Sequence, residues 1–176
     1  HAKNTIIIYT ADHGLAMGSH GLLGKQNVYE QSMRCPLILK GPKVPEGKSS
    51  NSFTYVHDLY ATICDFTNIR QPSENDSKSL RPIMSGEISR VRDSVFLPFQ
   101  DNQRAISNGN WKLHVYPKID HQLLFNLATD PHEIKNLAND TAYQSQIEQM
   151  LVLMESHRTK LNDPYPLSIE TPEPKE

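Results

Sequence analysis

Cysteine is scarce in this chain: Cys35 and Cys64 are the only two in 176 residues, with no CxxC and no spacing suited to zinc or to a disulfide framework. Both lie in apolar surroundings and read as buried thiols. Long hydrophobic runs are missing as well. The longest are strand-sized, far short of the roughly 18 apolar residues of a membrane span, so no membrane span is expected. No charge of one sign dominates, because 18 Lys and Arg stand against 20 Asp and Glu for a formal charge of −2. Lys40, Lys43 and Lys48 are scattered around a Gly/Pro loop instead of forming a basic stripe, which speaks against nucleic acid as a partner. A start methionine and a leader are also lacking. His1-Ala2-Lys3 runs straight into an apolar strand, so the chain is expected to be the carboxyl-terminal portion of a longer protein, with its compartment unmarked.

What remains is the composition of a folded domain, 37% hydrophobic and 22% charged. The most informative stretch is Asn4-Thr5-Ile6-Ile7-Ile8-Tyr9-Thr10-Ala11-Asp12-His13-Gly14. Its nearly continuous β-branched run predicts a strand covered on both faces, as in a parallel α/β sheet, where ligands bind at the carboxyl ends of strands. Asp12 and His13 fall at that end. Gly14 and Gly18 allow the backbone to turn closely around whatever those side chains hold. From the segment alone, a metal or catalytic role and a simple Asx-type turn are both open.

Along the chain the pattern divides near 89–93. The first part, 1–92, is α/β: after Cys35-Pro36-Leu37-Ile38-Leu39 comes a turn-rich loop over 41–50, then helical spacing from Val56 to Ile69, with Asp58 placed to cap it. The second part, 93–162, predicts a small antiparallel sheet from strand-length runs at 94–99, 104–107, 111–116 and 122–127, with Asn108-Gly109 as a hairpin signal. Asp130-Pro131-His132-Glu133 reads as a capping box opening a short helical turn. Tyr143, Ile147, Met150, Leu151 and Met154 form the apolar stripe of a helix lying across the sheet. The tail, 163–176, carries Pro164, Pro166, Pro172 and Pro174 and should be non-helical and extended or loose. Two sequons, at Asn75 and Asn139, mark surface loops.

In order, the series ADHG, GSHGLLGKQNVYEQSMRCPLIL, VHDLYATICDFTNI, SLRPIMSGE and LLFNLATDPHEIKNLAND resembles the sulfatase family over most of the chain. The resemblance implies the carboxyl-terminal part of an alkaline-phosphatase-like α/β domain, followed by a small antiparallel sheet with a packed helix. It implies a sulfuric ester hydrolase working at a divalent metal, usually calcium, with magnesium or manganese as alternatives. The formylglycine nucleophile of such enzymes arises in a Cys-x-Pro-Ser-Arg segment. Neither cysteine here fits it, and the upstream metal-binding aspartates are also absent. The partners implied are therefore a sulfated small molecule or sulfated carbohydrate, and a missing amino-terminal portion of the same enzyme. The chain alone is expected to be inactive. By the same resemblance the compartment would be periplasmic, extracellular or lysosomal.

Residue by residue, the resemblance makes Asp12 a metal ligand, its carboxylate being the hard donor that calcium or magnesium prefers. His13 joins it, although an imidazole is softer and leans toward zinc or manganese. Lys25, after Gly24, corresponds to a sulfate-contacting lysine whose cation would stabilise charge developing on sulfuryl and leaving-group oxygens. His20 is a candidate substrate contact or loop-structural residue. Arg104 is a candidate substrate contact from the small sheet, against the ordinary role of a surface arginine. Two alternatives stand beside the sulfatase: a zinc-dependent phosphodiesterase or phosphatase of the same superfamily, and a non-catalytic remnant that keeps the fold.

Overall fold

The structure is a computed structural model describing residues 1–168, and the expectation for Pro172 and Pro174 lies outside the described residues. Contacts group the chain into two compact units: His1–Asp12 with Cys35–Asp93, and His13–Arg34 with the chain from Ser94 on. The segment 13–34 is thus a long excursion from the first unit into the second.

In the first unit, β1 (Ile7–Thr10) pairs antiparallel with β2 (Leu37–Lys40), in the register Ile7 to Lys40 and Tyr9 to Ile38. This corrects the expectation of a parallel strand covered on both faces. One face of the ribbon is open, with Ile7 58%, Tyr9 63% and Ile38 60% exposed. The continuous apolar run announced burial, but of the residues in β1 and β2 only Ile8, Thr10, Leu37 and Leu39, on the opposite face, are partly covered.

Helix α2 (Asp58–Thr67) forms where the apolar spacing put it and stops at Asn68 in the left-handed conformation. Asp58 does not cap it by folding forward. Fully buried, it accepts the backbone N–H of Tyr55 at 2.7 Å and of Lys78 at 2.8 Å, and it pairs with Arg92. Burial alone would raise its pKa, but these bonds outweigh burial and hold it below the ordinary carboxylate range. Three segments of the unit are thereby tied to one carboxylate. Helix α3 (Arg81–Met84) follows, with Arg81 paired to Asp65 of α2 at 2.6 Å.

The second unit is a four-stranded antiparallel meander in sequence order: β3 (Val95–Phe99), β4 (Gln103–Ser107), β5 (Trp111–Tyr116) and β6 (His121–Asn126). The Asn108-Gly109 turn forms as expected. Gly109 adopts φ 93°, and Asn108 Oδ1 accepts the N–H groups of Asn110 and Trp111. Because side chains alternate across a sheet, β5 presents Leu113 and Val115 to one face and Lys112, His114 and Tyr116 to the other.

The first face meets α4 (Gln144–Leu161), whose Ile147, Met150 and Met154 pack with Phe96, Ile106, Leu113, Val115 and Leu124 into the core. The stripe read from the sequence is this helix's buried side. Beyond the helix, residues 162–168 are non-helical but held down: Asp163 pairs with Arg104, the Arg104 guanidinium lies 5.0 Å over the Tyr165 ring, and Leu167 packs against the core. Among the described residues, no helix is long and apolar enough to cross a membrane.

Candidate active site

Asp12 is exposed and ends the first unit's opening segment, two residues past β1; His13 begins the second unit's. Within the second unit, His13 and Lys25 are brought together from twelve residues apart, the Lys25 ammonium bonding to His13 Nε2. On its other side, His13 Nδ1 lies 2.8 Å from the carbonyl of Gly14. A carbonyl can only accept, so Nδ1 carries the proton and Nε2 offers its lone pair to the Lys25 ammonium. That is the tautomer a metal-binding imidazole uses, with a backbone carbonyl fixing the ring.

The loop that makes this pairing is built on close backbone approach. A Cβ on Gly14 would lie 2.0 Å from the carbonyl oxygen of Gln31, so only glycine lets this strand exit sit against the short helix α1 (Glu30–Met33), where the Gly14 N–H donates to the Ser32 carbonyl at 2.8 Å. Between these points Ala16 bonds to Gly24 and Gly18 to Leu22, closing a compact excursion with Lys25 at its exit. Gly18, at φ 99°, makes the tight turn.

His20 stands at the tip of that excursion in the left-handed conformation, its ring stacked on Tyr29 at 3.8 Å and 11°. Its Nε2 is buried without a hydrogen-bond partner among the described residues. The geometry presented here is a loop-packing one, with Tyr29 in turn edge-on to His114 at 4.8 Å.

Arg104 is 1% exposed on the α4 side of the sheet. Its Nε and Nη2 bond to Asp163 at 2.7 and 2.9 Å, and Nη1 bonds to the carbonyls of Gln100 and Gln103. A guanidinium so committed ties β4 to the segment that follows α4. A substrate contact by Arg104, as the resemblance suggested, would have to compete with the Asp163 carboxylate for this guanidinium.

Four residues of consequence escaped the sequence reading. Lys112, Glu133 and His114 are fully buried, and Glu30 joins them from the segment 13–34. Glu133 is not the closing residue of a capping box. It sits at φ 57° with its carboxylate turned inward, while Asp130 accepts the N–H groups of Ile134 and Lys135 and no helix follows. Burial lowers the pKa of His114 to about 4, keeping the imidazole neutral. Burial would raise Glu133, but the His114 hydrogen bond and the Lys112 charge outweigh it and hold the carboxyl low. Tyr29 and Tyr116, hydrogen-bonded to each other beside this group, are pushed up by burial.

Among the described residues, no three His, Cys, Asp or Glu side chains assemble into a metal-binding group. Asp12 and His13 are thus at most part of a ligand set. As donors they suit one: a hard carboxylate and an imidazole nitrogen whose proton is held on the far side.

The family described as N-sulphoglucosamine sulphohydrolase, C-terminal, matches residues 18–160. An N-acetylglucosamine-6-O-sulfatase of Bacteroides thetaiotaomicron is 28% identical over 181 residues, covering 96% of this chain and 32% of that protein. A solved structure of a protein in complex with its substrate, D-glucosamine-2-N,6-O-disulfate, superimposes with a TM-score of 0.83 at 26% identity, over 96% of this chain and 37% of the other. A phosphonate monoester hydrolase from Silicibacter pomeroyi superimposes with a TM-score of 0.80 at 25% identity, over 89% of this chain and 35% of that one. The chain spans about a third of the length of the curated relatives it matches.

Proposed function

This chain belongs to the N-sulphoglucosamine sulphohydrolase C-terminal family of sulfatases, and from that premise we propose that it is the carboxyl-terminal part of a sulfuric ester hydrolase acting on a sulfated carbohydrate or other sulfated small molecule. The observation that carries the reading is the meeting of Lys25 with a tautomerically fixed His13. Sulfate ester cleavage breaks the bond between sulfur and the ester oxygen. Negative charge builds on that oxygen and on the sulfuryl oxygens in the transition state.

In this reading Lys25, exposed and carried on a flexible stem, turns its ammonium to those oxygens. With the ammonium turned away from it, His13 Nε2 would join Asp12 in holding a calcium ion, or magnesium or manganese in its place, as part of a set completed by an amino-terminal portion of the same enzyme. When bound, such an ion neutralises charge on the sulfuryl group and orients it. The formylglycine nucleophile belongs to that same portion, since neither Cys35 nor Cys64 lies in a Cys-x-Pro-x-Arg segment. A sulfated amino sugar is the first substrate to test, by analogy with the relative named for N-acetylglucosamine 6-O-sulfate and with the disulfated glucosamine in the neighbouring structure.

A second reading, a phosphohydrolase of the same superfamily, is favoured by one observation, the likeness to a phosphonate monoester hydrolase. Activity separates the two. The complete enzyme should cleave sulfate esters in preference to phosphate and phosphonate esters, and Lys25→Ala should lower that rate about a hundredfold or more, the equivalent of about 3 kcal/mol from one well-placed donor. Lys25→Arg should restore it only in part, because a planar fork does not take the place of a compact ammonium. Near-wild-type turnover by the alanine variant, or a preference for phosphonate monoesters with zinc, would overturn the sulfatase reading.

A further inference from the structure

The second face of the meander hides a lysine. Lys112 is 0% exposed, its Nζ 2.8 Å from Glu30 Oε1 and 3.0 Å from Glu133 Oε1. The same Glu133 oxygen accepts His114 Nε2–H at 3.0 Å, and its other oxygen accepts the backbone N–H of Glu30 at 2.6 Å. A buried ammonium and carboxylate persist only where geometry and further hydrogen bonds compensate their desolvation. Glu133 also adopts φ 57°, a conformation non-glycine residues seldom take, and such strain is kept where surrounding contacts over-determine it. Nothing in the apolar packing of α4 against the opposite face calls for this arrangement.

Two of these bonds end on Glu30, the first residue of α1, one at its carboxylate and one at its backbone N–H. From there the chain of contacts is short: α1 carries Ser32, whose carbonyl receives the Gly14 N–H, and Gly14 is in direct backbone contact with Gln31 and adjoins His13. We infer that Lys112 and Glu133 are positioning residues that clamp the segment His13–Arg34 to β5 through Glu30, and so hold His13 and Lys25 in register for the reaction. The catalytic consequence rests on the proposed sulfatase site; the clamp itself does not.

Three variants of the complete enzyme test this: Lys112→Met, Glu133→Gln and the double variant. Lys112→Met leaves two carboxylates facing each other without their cation, and should free the segment. Hydrogen exchange followed by mass spectrometry should then rise at least tenfold in peptides within 13–34, while peptides of β4 and α4 stay within about twofold of wild type. kcat should fall at least tenfold with little change in KM. The double variant removes one charge of each sign together with the Lys112–Glu30 pair, and should remain loosened in 13–34 by threefold or more; wild-type protection there would overturn the clamp. A pair that merely stabilises the sheet would loosen β4 and α4 together and leave kcat per folded molecule unchanged. That outcome, or unchanged exchange in 13–34, overturns the inference. Should Lys112→Met fail to fold, Glu133→Gln decides, with selective loosening of 13–34 by threefold or more expected and uniform or absent loosening refuting it. A wild-type enzyme without sulfate ester hydrolysis would end the functional reading and leave the exchange data to judge the clamp.

Discussion

Lowering the pH should destabilise the second unit before its carboxylates begin to titrate, and His114 is the reason. Its imidazole is fully buried beside Lys112, Glu133, Glu30 and Tyr29, and burial depresses its pKa from 6.5 to about 4. Between those values the unfolded chain binds a proton that the folded chain does not, so stability rises with pH across the window and falls on acidification. The slope is about 1.4 kcal/mol per pH unit, and the loss between pH 6.5 and 4 sums to about 3 kcal/mol. Glu133 and Asp163 are lowered as well, but from lower starting values, with pKa values held below 4.5 and 3.8. Their contributions are complete above those unfolded-state values and are lost only as pH falls further, so they leave the interval from 6.5 to 4.5 to the histidine. Urea titrations of the chain between pH 7 and 4.5, followed by the fluorescence of Trp111 on β5, its only tryptophan, measure the effect. In His114→Gln a side-chain amide can still donate to Glu133 but cannot titrate, and most of the slope should vanish. Equal slopes for wild type and variant over that interval would refute the assignment.

Asp163→Ala should destabilise the second unit by about 3 kcal/mol, because it strands the Arg104 guanidinium in a site that is 1% exposed; urea midpoints by fluorescence check this. Met154→Ala, at a core position 0% exposed between α4 and the sheet, should cost about 2–5 kcal/mol by the same measurement, with the far-ultraviolet dichroism of the folded state unchanged. In the complete enzyme, elemental analysis should find one calcium ion per molecule in wild type, lost or weakened at least tenfold in Asp12→Ala and His13→Ala; stoichiometric zinc with calcium absent would favour the phosphohydrolase.

Much of the fold could be read in advance because its signals are local. Strand runs with a two-residue period, the Asn108-Gly109 turn and the 3.6-residue stripe from Tyr143 to Met154 each depend on neighbours in the chain, and each formed within a residue or two of its predicted span. The excursion bearing Lys25 was legible for a different reason, since GSHGLLGKQNVYE resembles a known family loop and its glycines mark where the backbone must approach or turn.

Local patterns failed wherever a side chain's partner lies far along the chain. The run Trp111-Lys112-Leu113-His114-Val115 has the alternation of a strand with one wet face, yet segment 13–34 supplies Glu30 and Tyr29 to that face and buries Lys112 and His114. Asp130-Pro131-His132-Glu133 has the spacing of a capping box, but Lys112 and His114 offer Glu133 stronger partners than the backbone beside it. Arg104 reads as a surface or substrate-facing arginine in the sequence, but Asp163, 59 residues later, accepts its Nε and Nη2 and two backbone carbonyls accept its Nη1. The sequence by itself determined which segments become strands and helices and which loop presents Lys25, because propensity, turn chemistry and periodicity act over a few residues. The tertiary structure alone decided which charges are buried and which stay exposed, because desolvation and ion pairing depend on what a fold brings together from distant parts of the chain.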